Sequence, residues 1–155
     1  MPLLRAALSW NFVLATAICA SLLAQLIKVL LNLFIFHRFI AERMWGAGGM
    51  PSSHSATVCA MVVATGRYCG VNSPIFAIAA VLSIIVMYDA MGVRYETGEQ
   101  AKVLNRMFIE WMDQGFEQFQ LPHGKKLKEM VGHTPIEVVT GAALGIVLGF
   151  AMPMV

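Results

Sequence analysis

What this chain has least of is charge. Asp, Glu, Lys and Arg make up only 13% of its 155 residues, where water-soluble domains usually carry about 25%. The shortage is concentrated in long uncharged blocks, which excludes an ordinary soluble globular domain. The net charge is only +2, and the basic residues alternate with acids instead of forming a stripe, so nucleic acid is not an expected partner. Cysteine is scarce as well. Cys19, Cys59 and Cys69 lie inside or at the end of apolar segments, none at a metal-ligand spacing, and an odd number argues against a disulfide framework. They read as buried packing thiols. Internal repeats and low-complexity tracts are absent, and the length leaves room for one small bundle and no second domain.

What fills the chain is apolar: 58% of it is hydrophobic, with a mean hydropathy of +0.69. A bilayer core takes about 20 helical residues, and four stretches are read as spans, at about 9–27, 55–71, 74–90 and 135–152. The first is uncharged, and apolar character continues past Lys28 to Phe36, too far for the short core of a signal peptide. It is read as a retained helix, extended along the interface through Arg38 to Arg43. The second is rich in small residues, and Arg67 near its far end is placed to snorkel to the interface. Asn72, Ser73 and Pro74 make a tight turn before the third, which is uncharged until Asp89. In the fourth, Gly141, Gly145 and Gly149 form a row that permits close helix packing. Residues 91–134 make the one long polar loop. Within it Ala101, Leu104, Phe108 and Trp111 recur at helical spacing over 98–112, the mark of an amphipathic helix. A turn-rich link with Pro122 and Gly124 follows, then a short basic piece at 125–130. The expected fold is all-α: a polytopic membrane helical bundle of about four transmembrane helices and one polar loop containing an amphipathic helix, a single domain over 1–155.

Four spans impose a geometry. The end of the first, the start of the second, the end of the third and the start of the fourth share one face. That face gathers Lys28, Arg38, Arg43, His54, Asp89, Arg94, the polar loop, His133 and Glu137. Of the 11 Lys and Arg residues nine fall there, all except Arg5 and Arg67, which by the positive-inside rule makes the face cytoplasmic. An integral protein of a bacterial-type plasma membrane is the expected setting.

The stretch Gly48-Gly49-Met50-Pro51-Ser52-Ser53-His54-Ser55-Ala56 opens the second span. Its small residues let a backbone approach a ligand, and its serines mark a helix N-terminus, where free N–H groups and the dipole favour an anion. His54 there is a candidate to bind a phosphate-like group or exchange protons with it; the other reading is a capped turn with an incidental histidine. In His133-Thr134-Pro135-Ile136-Glu137 a carboxylate follows a histidine by four residues. Glu137 can accept from one ring nitrogen and leave the other free to attack; it can also simply close a capping box with Thr134, with Pro135 at the first helical position. Asp89 is either an ion-pair partner of Arg94 or a functional carboxylate. Lys125, Lys126 and Lys128 read as a solvated or headgroup-facing cluster, with Lys126 and Lys128 as possible substrate contacts. His37 and His123 have no partner at a suggestive spacing.

These residues carry a resemblance. The Gly48–Ala56 stretch, together with Met87-Tyr88-Asp89-Ala90-Met91-Gly92-Val93-Arg94, the Gln100 to Asn105 segment and Gly132 to Glu137, resembles the divergent branch of the type-2 phosphatidic acid phosphatase superfamily, to which vanadium-dependent haloperoxidases also belong. The likeness covers most of the chain from about Gln25 onward. It implies a metal-independent phosphatase that forms a phosphohistidine, with no cofactor. The superfamily's Pro-Ser-Gly-His motif maps onto Pro51-Ser52-Ser53-His54, which makes His54 the proton donor to the leaving group. His133 and Glu137 match the His and Asp of its last motif, with Glu for Asp. Two departures stand out: Leu127 occupies the place of the phosphate-binding arginine six residues before His133, and Ile35 stands seven residues after Lys28 where the first motif has arginine. Arg94, or Lys126 or Lys128, is the candidate replacement for the former, and Lys28 with Arg38 for the latter.

The expected activity is hydrolysis of a lipid phosphate or diphosphate at the membrane surface. His133 is the nucleophile, His54 the acid and then the base, and Glu137 the residue orienting His133. Lys28, Arg38, Arg94, Ser52 and Ser53 are the expected phosphate contacts. Two other readings stay open: a membrane module that binds or transports an anion without turnover, and a metal-dependent hydrolase using His54, His133, Asp89 or Glu137. The oligomeric state is not legible.

Overall fold

The computed structural model describes residues 11–36, 49–114, 126–129 and 131–154. Among them the chain is all-helical: α1 is Phe12–Phe36, α2 Ser53–Cys69, α3 Pro74–Met91, α4 Val93–Asp113 and α5 Pro135–Ala151. The helix starts follow from local chemistry. Ser52, Ser73 and Thr134 occupy the N-cap positions of α2, α3 and α5 in extended conformation, each accepting a backbone N–H from the first turn. Pro74 and Pro135 stand just inside, where a missing N–H loses no bond. The first helix does not stop near residue 27; it continues through Lys28 to Phe36.

The bundle is arranged around α2, which packs against α1, α3 and α5. Small residues make this possible. Ala20 and Ala24 of α1 meet Ala56 and Ala60 of α2, all without solvent exposure, flanked by Leu144 and Leu148 of α5. Facing them, Gly141, Gly145 and Gly149 are buried along one side of α5. A Cβ at Gly141 would run into the Ser52 carbonyl, one at Gly145 into the Ala56 carbonyl, and one at Gly149 into the Val63 side chain. The expected glycine row is therefore a seam in which α5 lies directly on the α2 backbone.

The large side chains point outward instead. Leu22, Phe34, Ile78, Ile84, Val139, Val147 and Phe150 are all exposed, far more apolar surface than a water-soluble monomer tolerates. Helices α1 and α3, the latter running on through Gly92, are long and apolar enough to cross a membrane, and α5 is a shorter apolar helix.

Arg67, near the far end of α2, is tied to the end of α5: its Nη1 donates to the carbonyls of Gly149, Phe150 and Met152, and its guanidinium lies over the Phe12 ring. The last carbonyls of α5 lack helical partners, and a cation there answers both the open acceptors and the dipole. Of the three free thiols only Cys59 is buried; Cys69, on the last turn of α2, is exposed. Of the expected stripe on α4, Ala101 is buried, together with Gly98 and Asn105, while Leu104 is exposed. A segment of backbone lies on α4, and it selects small side chains.

The seam yields a stability prediction. Gly145→Ala places a methyl against backbone that has no rotamer to yield, so the protein should lose about 1–3 kcal/mol, whereas Ile146→Ala on the exposed side should stay within about 0.5 kcal/mol. Thermal unfolding of the detergent-solubilised variants measures both.

Candidate active site

His54 stands in the first turn of α2, and its position is fixed from below. The Ser52 side chain caps the helix, and the Ser55 hydroxyl donates to Ser52 Oγ at 3.1 Å. The Ser52 backbone N–H donates to the Glu137 carbonyl at 3.0 Å, which ties the start of α2 to the start of α5. Gly141, one turn further along α5, provides the room. Before the cap, Gly49 adopts φ +88°, a backbone conformation in which a side chain would be strained, and the stem of Lys28 packs beside it at ordinary contact distance.

His133 is delivered by a different device. Residues 126–129 and 131–133 are not helical and lie antiparallel along α4. Asn105, buried in α4, donates from Nδ2 to the Leu127 carbonyl at 2.9 Å and to Glu129 at 2.8 Å, and accepts the Leu127 N–H at 2.8 Å. Further along, the Glu129 carbonyl lies against Gly98, and Gly132 presses on the backbone of Arg94 and Tyr95. The segment ends with the His133 N–H donating to the Ala90 carbonyl at 3.1 Å. Sequence reasoning missed this clamp. Its signals were a lone asparagine within a helical stretch and two glycines, Gly98 and Gly132, with no turn to explain them.

The two imidazoles meet edge to face, ring centroids 6.3 Å apart. His133 is 2% exposed. Glu137 Oε2 accepts from His133 Nδ1 at 3.1 Å and from the Thr134 N–H at 3.1 Å, while Thr134 Oγ1 accepts the Glu137 N–H. Capping and orienting are thus not rival roles for Glu137; one oxygen does both. With Nδ1–H directed at a carboxylate, the lone pair of the neutral ring belongs to Nε2, which is buried and has no hydrogen-bond partner. Beside the two rings is a cavity of about 50 Å³ lined by His54, Val86, Asp89, Ala90, Arg94 and His133. Arg94 Nε donates to Asp89 Oδ2 at 2.6 Å at its edge.

The other expected contacts lie elsewhere. Lys28 is 2% exposed inside α1; it does not line the cavity, and its charge bears on Glu137 and on both histidines from behind. Ser52 and Ser53 are buried beneath His54, the former engaged as a cap. Lys126 and Lys128 are exposed and away from the cavity. Arg38, with His37, Arg43, His123 and Lys125, falls outside the described residues. Among the described residues no three His, Cys, Asp or Glu side chains converge as a metal-ligand set.

Burial pushes the His133 imidazole below the ordinary histidine range, and the Glu137 carboxylate opposes this without cancelling it. The folded protein therefore holds His133 neutral more strongly than the unfolded chain does. The unfolded chain binds the extra proton, so stability rises with pH between the depressed native value and about 6.5 and is lost as the pH falls through that window. Melting temperatures taken from pH 7.5 to 5 should fall toward acid, and His133→Asn should flatten part of that slope; an unchanged slope would show that the ring is not held neutral.

The chain is 39% identical over 144 residues, 89% of its length and 91% of the other's, to a Bacillus subtilis (strain 168) protein described as "Uncharacterized membrane protein YuiD". No solved structure matches. Residues 9–148 match the family described as "Divergent PAP2 family", and with that match over nearly its whole length the chain belongs to the divergent PAP2 family.

Proposed function

We propose that this protein is an integral membrane phosphatase that hydrolyses a phosphate ester or diphosphate on a lipid through a phosphohistidine. The observation that carries the reading is the state of His133: anchored through Nδ1, with a buried, unpartnered Nε2 beside a second histidine. In the first step Nε2 forms a bond to phosphorus while the bond to the leaving oxygen breaks, and His54 gives that oxygen its proton. Water then attacks the phosphohistidine, His54 takes a proton from it, and inorganic phosphate leaves with His133 restored. Arg94 holds the equatorial oxygens at the cavity, and the Lys28 charge biases the site toward anions.

In this reading α1, α2, α3 and α5 each cross the bilayer and α4 lies with the polar segment at the site face. Helices α2 and α5 have 17 residues each, about 25 Å of rise, a few Å short of a typical hydrocarbon core and within what local thinning or flanking residues accommodate. A histidine pair at the mouth of such a bundle sits at headgroup depth, which favours a lipid substrate. The excess of Lys and Arg puts this face in the cytoplasm of a bacterial-type plasma membrane.

Leu127 favours a second reading, a lipid-phosphate binding module without turnover, because the arginine normally found at that position is gone. One assay separates the two. Purified protein with chelator present should release phosphate from a panel of lipid phosphates; His133→Ala should abolish release, and His54→Ala should slow it by about 10²–10⁴-fold. Release that survives both substitutions defeats the mechanism, and release lost only to chelator points to a metal. Orientation has its own reporter: exposed Cys69, on the face opposite the site, should react with an impermeant maleimide from outside the cell, and a cysteine introduced at Gln114 should not.

A further inference from the structure

Arg94 and Asp89 sit five residues apart on either side of the α3–α4 junction, and both line the cavity that holds the two histidines. Their bond is one-sided. Only the Arg94 Nε is engaged, by Asp89 Oδ2 at 2.6 Å, and among the described residues no hydrogen bond takes either Nη group. Both side chains are well exposed, so the pair itself contributes little to folding. Across the same cavity stands the unpartnered, fully buried Nε2 of His133. A guanidinium has a fixed planar fork, and a carboxylate on its Nε edge fixes the plane while leaving the terminal nitrogens as a pair of parallel donors.

We propose that Asp89 is a positioning residue that aims Arg94, so that the two Nη groups form a bidentate clamp for two oxygens of a phosphoryl group next to His133 Nε2. This rests on the phosphate-handling reading of the site and adds what replaces the arginine absent at Leu127. The replacement comes from the helix on which the Leu127 segment is laid. It also makes Arg94 irreplaceable by lysine, whose single ammonium group can meet either Asp89 or the phosphate.

That dependence gives a test with a change of sign. Inorganic phosphate is titrated calorimetrically into the full-length protein in detergent micelles, which reads binding whether or not turnover occurs. Asp89→Asn should weaken phosphate binding by about tenfold with folding unchanged, and Asp89→Glu, which keeps the carboxylate, should recover part of it. Arg94→Lys should bind phosphate poorly. Adding Asp89→Asn to Arg94→Lys should then strengthen binding, because the ammonium group is released from its carboxylate. An ion pair that only braces the α3–α4 junction gives the same sign in both backgrounds, and that result overturns the proposal, as does unchanged or tighter binding in Asp89→Asn alone. Melting curves identify any variant that fails to fold; if Asp89→Asn does, Arg94→Lys decides, and a phosphate affinity equal to wild type there overturns the clamp. Binding without lipid-phosphate hydrolysis overturns the phosphatase reading and leaves the clamp standing; no phosphate binding by the wild-type protein overturns both.

Discussion

Across the α2–α5 seam the Ser52 N–H reaches the Glu137 carbonyl at 3.0 Å, a bond that exists only because Gly141 puts no side chain between the two backbones. Glu137 makes this contact matter beyond packing. Its carbonyl holds the residue two before His54, and its carboxylate holds the ring of His133. The distance between the two imidazoles is therefore set within a single residue's reach rather than by the length of a loop. A site assembled from segments 79 residues apart needs some such short rigid link if its geometry is to hold within a fraction of an ångström.

The same economy explains why the core is so small-sided. In a lipid environment there is little hydrophobic gain in bringing helices together, so association depends on close van der Waals contact and on interhelical polar bonds. Ala20, Ala24, Ala56 and Ala60 allow the first. The Ser52–Glu137 bond at one end of the seam and the Arg67 contacts to the α5 carbonyls at the other supply the second. Arg67 and Glu137 each act at the α5 terminus that complements their charge.

How much of this could be read in the chain depended on range. The N-caps, the prolines behind them, the α5 glycine row and the capping box are local patterns, and each was legible because its cause lies within four residues. The convergence of His54 and His133 was legible from crossing direction alone. Lys28 was read as a phosphate contact, with Arg38 the nearest substitute for the absent first motif; it is buried in α1 and does not line the cavity. Of the helically spaced apolar residues of α4, Ala101 is buried with Gly98 and Asn105 while Leu104 is exposed; that face is chosen by a strip of backbone whose hydrogen bonds need Asn105 and whose closeness needs Gly98. Backbone that packs on a helix leaves no periodic mark in its own sequence, so the delivery of His133 was signalled only by Asn105 and by the two glycines at the close contacts, Gly98 and Gly132.

That strip also bears on the departure at Leu127. The Leu127 N–H and carbonyl are both held by Asn105, about half the length of α4 away from the cavity at its N-terminal end. A cation at that position would begin several turns from the histidines, since α4 rises about 1.5 Å per residue between Arg94 and Asn105. Losing an arginine there removes nothing from the site as it is built. A cation in the first turn of α4, by contrast, starts two residues beyond Gly92 and lines the same cavity as both rings. The antiparallel course of residues 126–129 and 131–133 along α4 brings His133 to the N-terminal end of that helix, and the charge that can serve it must come from the same end. On this view the missing motif arginine and the presence of Arg94 are two consequences of one chain path, not a lesion and its repair.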